Sequence, residues 1–135
     1  MDNIGTLFAN HPHRPPDPSL IATCVAACYE CGNLSVACSD ACLAEARVAE
    51  LVCCIRTSLD CADVCQATAR VVSRLTKPSP MLVEVQLTAC AEACRICAEE
   101  CDSHAAMFEH CRVCANACRA CEQTCRALLR GASLT

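Results

Sequence analysis

Eighteen of the 135 residues are cysteine, against two Phe, one Tyr and no Trp. A thiol can fill space, pair as a disulfide, attack as a nucleophile or ligate a soft metal ion. The spacing decides among these. Cys24, Cys28, Cys31, Cys38 and Cys42 form one set, Cys53, Cys54, Cys61 and Cys65 a second. Cys90, Cys94, Cys97 and Cys101 make a third, and Cys111, Cys114, Cys118, Cys121 and Cys125 a fourth. Within the sets the separations are nearly all three, four or seven, so at about 100° per residue each set lies on one face of a helix. Only Cys53, next to Cys54, falls at the edge of its stripe. The third and fourth sets share the pattern Cys-x3-Cys-x2-Cys-x3-Cys, and the first begins the same way.

Cysteine as a plain core residue would forfeit burial of roughly 0.8 kcal/mol for each methylene that Leu would have supplied. Disulfides are disfavoured by geometry, because residues four apart on a helix have nearly parallel Cβ vectors. They are also disfavoured by compartment: the start MDNIGTLFANHPHRPPDPS has no basic leader, apolar segment or cleavage site, so a reducing cytosol is expected. An enzyme is not expected, since there is no Ser/His/Asp set, no Gly-rich phosphate loop and no lone cysteine beside a base. Soft-metal ligation remains. The iron–sulfur string C-x2-C-x2-C-x3-C is absent. Zinc prefers closed quartets, whereas these spacings overlap as ladders. Cu(I) accepts two or three sulfurs, and bridging would bring capacity to about one copper per thiolate. Exchanging H⁺ for Cu⁺ also keeps a buried site neutral, while four thiolates around Zn²⁺ leave −2. A zinc or mixed-metal thiolate store and a thiol redox buffer stay open as alternatives; the buffer would need solvent-accessible thiols.

The elements that must position these sulfurs are helices. Ala, Leu, Glu, Arg and Gln fill the intervals, and Gly occurs three times. Pro12, Pro15, Pro16 and Pro18 exclude a long helix from the first stretch, leaving room for a short turn near Ile4–Ala9. A first long helix, capped by Ser19 or Asp17, is expected to run to about Glu45, and a second from Arg47 to Leu75. Ser79-Pro80 opens a third to about Ser103. A fourth is expected from about Met107 to Arg130, stopped at Gly131. The expectation is an all-α, antiparallel up-down-up-down four-helix bundle with a cysteine-lined core. It occupies residues 19–135, after a Pro/His-containing segment at 1–18. The net charge of −4, without a basic block, argues against nucleic acid or membrane as partner, and no apolar run approaches the roughly 20 residues of a span.

Extending the stripes distinguishes the two ends. Leu20, Val72, Leu75, Val83 and Leu128 or Leu129 would plug one. His104, Met107 and His110 gather at the other, beside Cys42, Glu45, Glu50 and the Cys53–Cys54 pair, and are candidate auxiliary ligands where metal enters and leaves. His11 and His13 read as a solvated tail. Ser35 stands in the first stripe where a ligand would be expected, leaving a gap. Second apolar stripes, Val25, Tyr29, Val36, Leu43 and Val48, Val52, Ile55, Leu59, point away from the cysteines and suggest a homo-oligomer interface.

The ladder over about residues 19–130 resembles the bacterial copper storage proteins. Its most specific part is Cys90–Cys125, including Glu100-Cys101-x2-His104 and His110-Cys111-x2-Cys114-x3-Cys118-x2-Cys121. The resemblance implies a core filled with Cu(I), a metal-ligating role for all eighteen cysteines, and a cytosolic homotetramer.

Overall fold

The computed structural model describes residues 2–131 and contains five α-helices and one 3₁₀ turn. A short helix α1, Asn3–Ala9, starts where Asp2 Oδ1 accepts the Gly5 N–H at 2.7 Å. It lies against α2, with Phe8 fully buried. Helix α2 spans Pro18–Ala44. Asp17 is its cap, accepting the Leu20 N–H at 3.1 Å, and Pro18 takes the first-turn position where a missing N–H costs nothing. Helices α4, Pro80–Asp102, and α5, Glu109–Gly131, follow the sequence expectation to within two residues, although Gly131 ends α5 from inside.

The second long helix departs from it. The chain leaves α2 extended at Glu45, winds as a 3₁₀ turn over Val48–Leu51, and only then enters α3, Val52–Val72. The tighter turn carries Leu51 into the end of the bundle, where it is fully buried.

Helix α2 lies beside α3 and α5, and α4 beside α3 and α5, so the four long helices close an antiparallel square with diagonal pairs apart. One end is apolar: Ile21, Val72, Leu75, Val83, Leu87 and Leu128 are buried together with Phe8. Leu128, not Leu129, supplies the α5 contribution, and Leu20 is half-buried. By length and composition α2 could cross a membrane, and here it packs as one wall of the bundle with its five cysteines buried. Val25, expected on the outward stripe, is buried, whereas Tyr29, Val36, Leu43, Val52 and Leu59 are exposed.

Candidate metal centre

All eighteen cysteines are free thiols; seventeen are buried and Cys53 alone is exposed. Cys53 therefore stands outside the core that the stripe at first shares with it, because one residue along a helix turns the side chain by about 100°. The other seventeen form a continuous column between the helices. At the plugged end Cys24 and Cys125 sulfurs are 3.9 Å apart, then Cys28 lies 3.6 Å from Cys121 and 4.0 Å from Cys90. Further along, Cys65 is 3.6 Å from Cys94, and Cys31 is 3.8 Å from Cys61 and 3.7 Å from Cys118. At the far end Cys54 is 3.6 Å from Cys101 and 4.0 Å from Cys111.

These sulfurs converge in overlapping groups whose members lie within 4.8 Å of one another. Three are quartets: Cys28, Cys90, Cys121, Cys125; Cys31, Cys65, Cys94, Cys121; and Cys38, Cys42, Cys54, Cys111. Two are triads, Cys31, Cys61, Cys118 and Cys38, Cys101, Cys114. Cys31, Cys38 and Cys121 each belong to two groups, which suits sulfurs that bridge ions and not closed, separate tetrahedra. Burial raises the Cys42 thiol to about 11, helped by the charge of Cys54, and burial likewise pushes Cys111 up. Cys54, hydrogen-bonded by Cys101 and then Cys38, is drawn below the ordinary thiol range.

The three auxiliary candidates are placed differently. His110, the second residue of α5, turns Nδ1 toward the last quartet, 3.5 Å from Cys38 Sγ, 3.6 Å from Cys111 Sγ and 4.0 Å from Cys42 Sγ. His104, just past α4, is half-buried with Nε2 3.4 Å from Glu100 Oε1. Met107 sits in the α4–α5 turn, 60% exposed, its Sδ accepting from Arg47 Nη1 at 3.2 Å. The helix-wheel extension that set Met107 on the fourth stripe fails because α5 begins only at Glu109. In the tail, His13 donates its backbone N–H to His11 Nδ1 at 2.9 Å.

A family model described as Copper storage protein matches residues 18–130, the whole of the bundle. The chain belongs to the copper storage protein family. Its members' role is storage, not catalysis. Among solved structures, the copper storage protein Ccsp from Streptomyces lividans loaded with 10 copper equivalents is 48% identical. That match covers 95% of this chain and 98% of the relative, with a TM-score of 0.92. A second structure, a cytosolic copper storage protein from Streptomyces lividans carrying five coppers, is 52% identical over 84% of this chain and 95% of the other, TM-score 0.83. A search of curated proteins finds no match.

One feature of this family member escaped the cysteine pattern. Ser58 is fully buried in the α3 stripe between Cys54 and Cys61, its Oγ 3.6 Å from Cys97 Sγ and 3.9 Å from Cys101 Sγ. Its four-then-three spacing from those cysteines was the available signal. Ser35 does occupy the expected rung on α2, 3.7 Å from Cys114 Sγ and 4.0 Å from Cys31 Sγ. Glu45, expected beside His110 at this end, does lie there, its Oε2 3.0 Å from His110 Nε2.

Proposed function

We propose that the bundle is a cytosolic store that holds many Cu(I) ions at once, about one per core cysteine, bridged between thiolates along the column. The observation that carries this is the continuity of seventeen buried thiols whose neighbouring groups share sulfurs. The multi-copper and cytosolic descriptions of the Streptomyces lividans relatives support it. Copper is admitted at the end bearing His104, Met107 and His110, because the opposite end is closed by apolar side chains and α1. His110 serves as a ligand with Cys38, Cys42, Cys54 and Cys111. His104 and Met107 stand at the rim, while Cys53 lies outside the store. The bundle is the storing unit and the segment before it a cover on the closed end.

The exposed stripe Tyr29, Val36, Leu43, Val52 and Leu59 on α2 and α3 supports self-association, and the resemblance to the cytosolic proteins points to a homotetramer.

An anaerobic Cu(I) titration of the reduced protein against a competing colorimetric chelator tests the storage reading. Retention is expected to rise toward one copper per core cysteine, with thiolate-to-copper charge-transfer absorbance and no visible d–d band. Saturation at one to four coppers would replace storage with a discrete site. Zinc is the rival that the four-sulfur groups would suit, and persistent preference for zinc in competition would decide for it.

A further inference from the structure

Resting on the storage reading, we infer that Glu45 is the positioning residue of the copper mouth. It holds the His110 imidazole with Nδ1 turned toward three sulfurs before any ion arrives. A carboxylate only accepts hydrogen bonds, so the 3.0 Å contact between Glu45 Oε2 and His110 Nε2 places the ring proton on Nε2. The ring's other nitrogen, Nδ1, is the atom 3.5–4.0 Å from the sulfurs of Cys38, Cys111 and Cys42. The Phe108 ring, centred 5.7 Å away at 30°, backs the imidazole on another side.

Glu45 can do this because the backbone fixes it. It is the C-cap of α2, extended at φ −75° and ψ 143°, and its N–H donates to the Cys42 carbonyl at 3.2 Å. The residue that orients the imidazole is thereby tied one turn from a thiol of the same quartet. The contact also crosses the bundle: Glu45 and His110 are 65 residues apart and join the end of α2 to the start of α5. Both side chains are partly buried, 34% and 25% exposed, so the hydrogen bond is sheltered without closing the mouth. Carboxylate–imidazole–metal arrays of this kind orient a ligand and raise its basicity.

The test compares Glu45→Ala, Glu45→Gln, His110→Ala and the Glu45→Ala/His110→Ala double variant in the full chain. Each is titrated with Cu(I) against a colorimetric chelator, read at the first equivalent and at saturation. Metal-free ¹⁵N NMR of the His110 ring reports which nitrogen carries the proton. Glu45→Ala is expected to weaken retention of the first copper by about 10-fold and to leave His110 averaging between ring states. Saturation capacity should stay that of the wild type, showing the column intact. Glu45→Gln, whose amide oxygen still accepts the Nε2–H, should recover most of the loss. In the His110→Ala background, removing Glu45 should cost nothing more. First-copper retention within twofold of wild type in Glu45→Ala would overturn the inference. So would Glu45→Gln behaving like Glu45→Ala, which would make attraction by charge the cause, and so would additive losses in the double variant. A wild type that saturates at a few coppers would instead sink the storage reading itself.

Discussion

A hydroxyl set among thiols shows how far single atoms decide this core. Ser35 and Ser58 are completely buried, yet each points its oxygen at two sulfurs, so neither is an unsatisfied polar group. An alcohol keeps its proton at neutral pH and offers a hard oxygen, which makes it a poor ligand for Cu(I) beside a thiolate. The column therefore continues past these two rungs with sulfur from fewer helices. Ser35→Cys places a donor within reach of Cys31 and Cys114 and should raise retained copper by about one ion per chain. Ser35→Ala should leave capacity unchanged. Both are read by chelator competition at saturation, and an unchanged Ser35→Cys would mean that sulfur number does not set capacity at this level.

At the scale of elements, the close approach of α2 and α3 is made beside Gly32. A Cβ built there would meet the Ala62 carbonyl oxygen at 3.5 Å and Cys65 Cβ at 3.7 Å, both ordinary contacts. Glycine in a helix interior is about 0.5–1 kcal/mol worse than alanine. Gly32→Ala should therefore raise the stability of the metal-free reduced protein by about that amount in urea unfolding. A lower midpoint would mean that the glycine sets the spacing of the two helices. The number of helices and their inward faces were legible because cysteines repeat at three, four and seven. The start of α3 was not: over Val48–Leu51 a 3₁₀ turn and an α-helix have the same apolar pattern, and only the need to seat Leu51 chooses between them. Cys53, expected at the edge of its stripe, and Met107, expected on the fourth stripe as an auxiliary ligand, are both exposed, one rotated by a residue and the other lying before its helix begins. Ser58 was overlooked because a polar residue in a stripe reads as an interruption. Antiparallel topology already placed His110 beside Glu45, but the hydrogen bond between them depends on side-chain geometry that no local spacing encodes.

For the whole molecule the governing quantity is charge. Two thiolates 4 Å apart repel by about 4 kcal/mol at an effective dielectric of 20, and the column packs many sulfurs at 3.6–4.0 Å. An empty column ionised throughout would burst on that repulsion, so most of its thiols must keep their protons. Cys42, pushed up to about 11 chiefly by burial, and Cys111, also raised by burial, hold theirs at pH 7. Each Cu⁺ that binds one such sulfur must displace one H⁺, and the interior charge then stays the same from empty to full. Loading the reduced protein anaerobically in weakly buffered solution at pH 7 should release about one proton per copper until the column fills. The sign for retention follows at the sulfurs whose pKa is raised, Cys42 and Cys111 among them: there protons compete with copper throughout the neutral range. Lowering pH from 7 to 5 should then weaken retention, and raising it toward 9 should strengthen it. Zinc held by four thiolates would release up to about four protons per ion and leave −2 at each site. The proton count per metal thus separates a bridged copper column from a set of closed tetrahedra, because the two differ in how many sulfurs each ion must deprotonate.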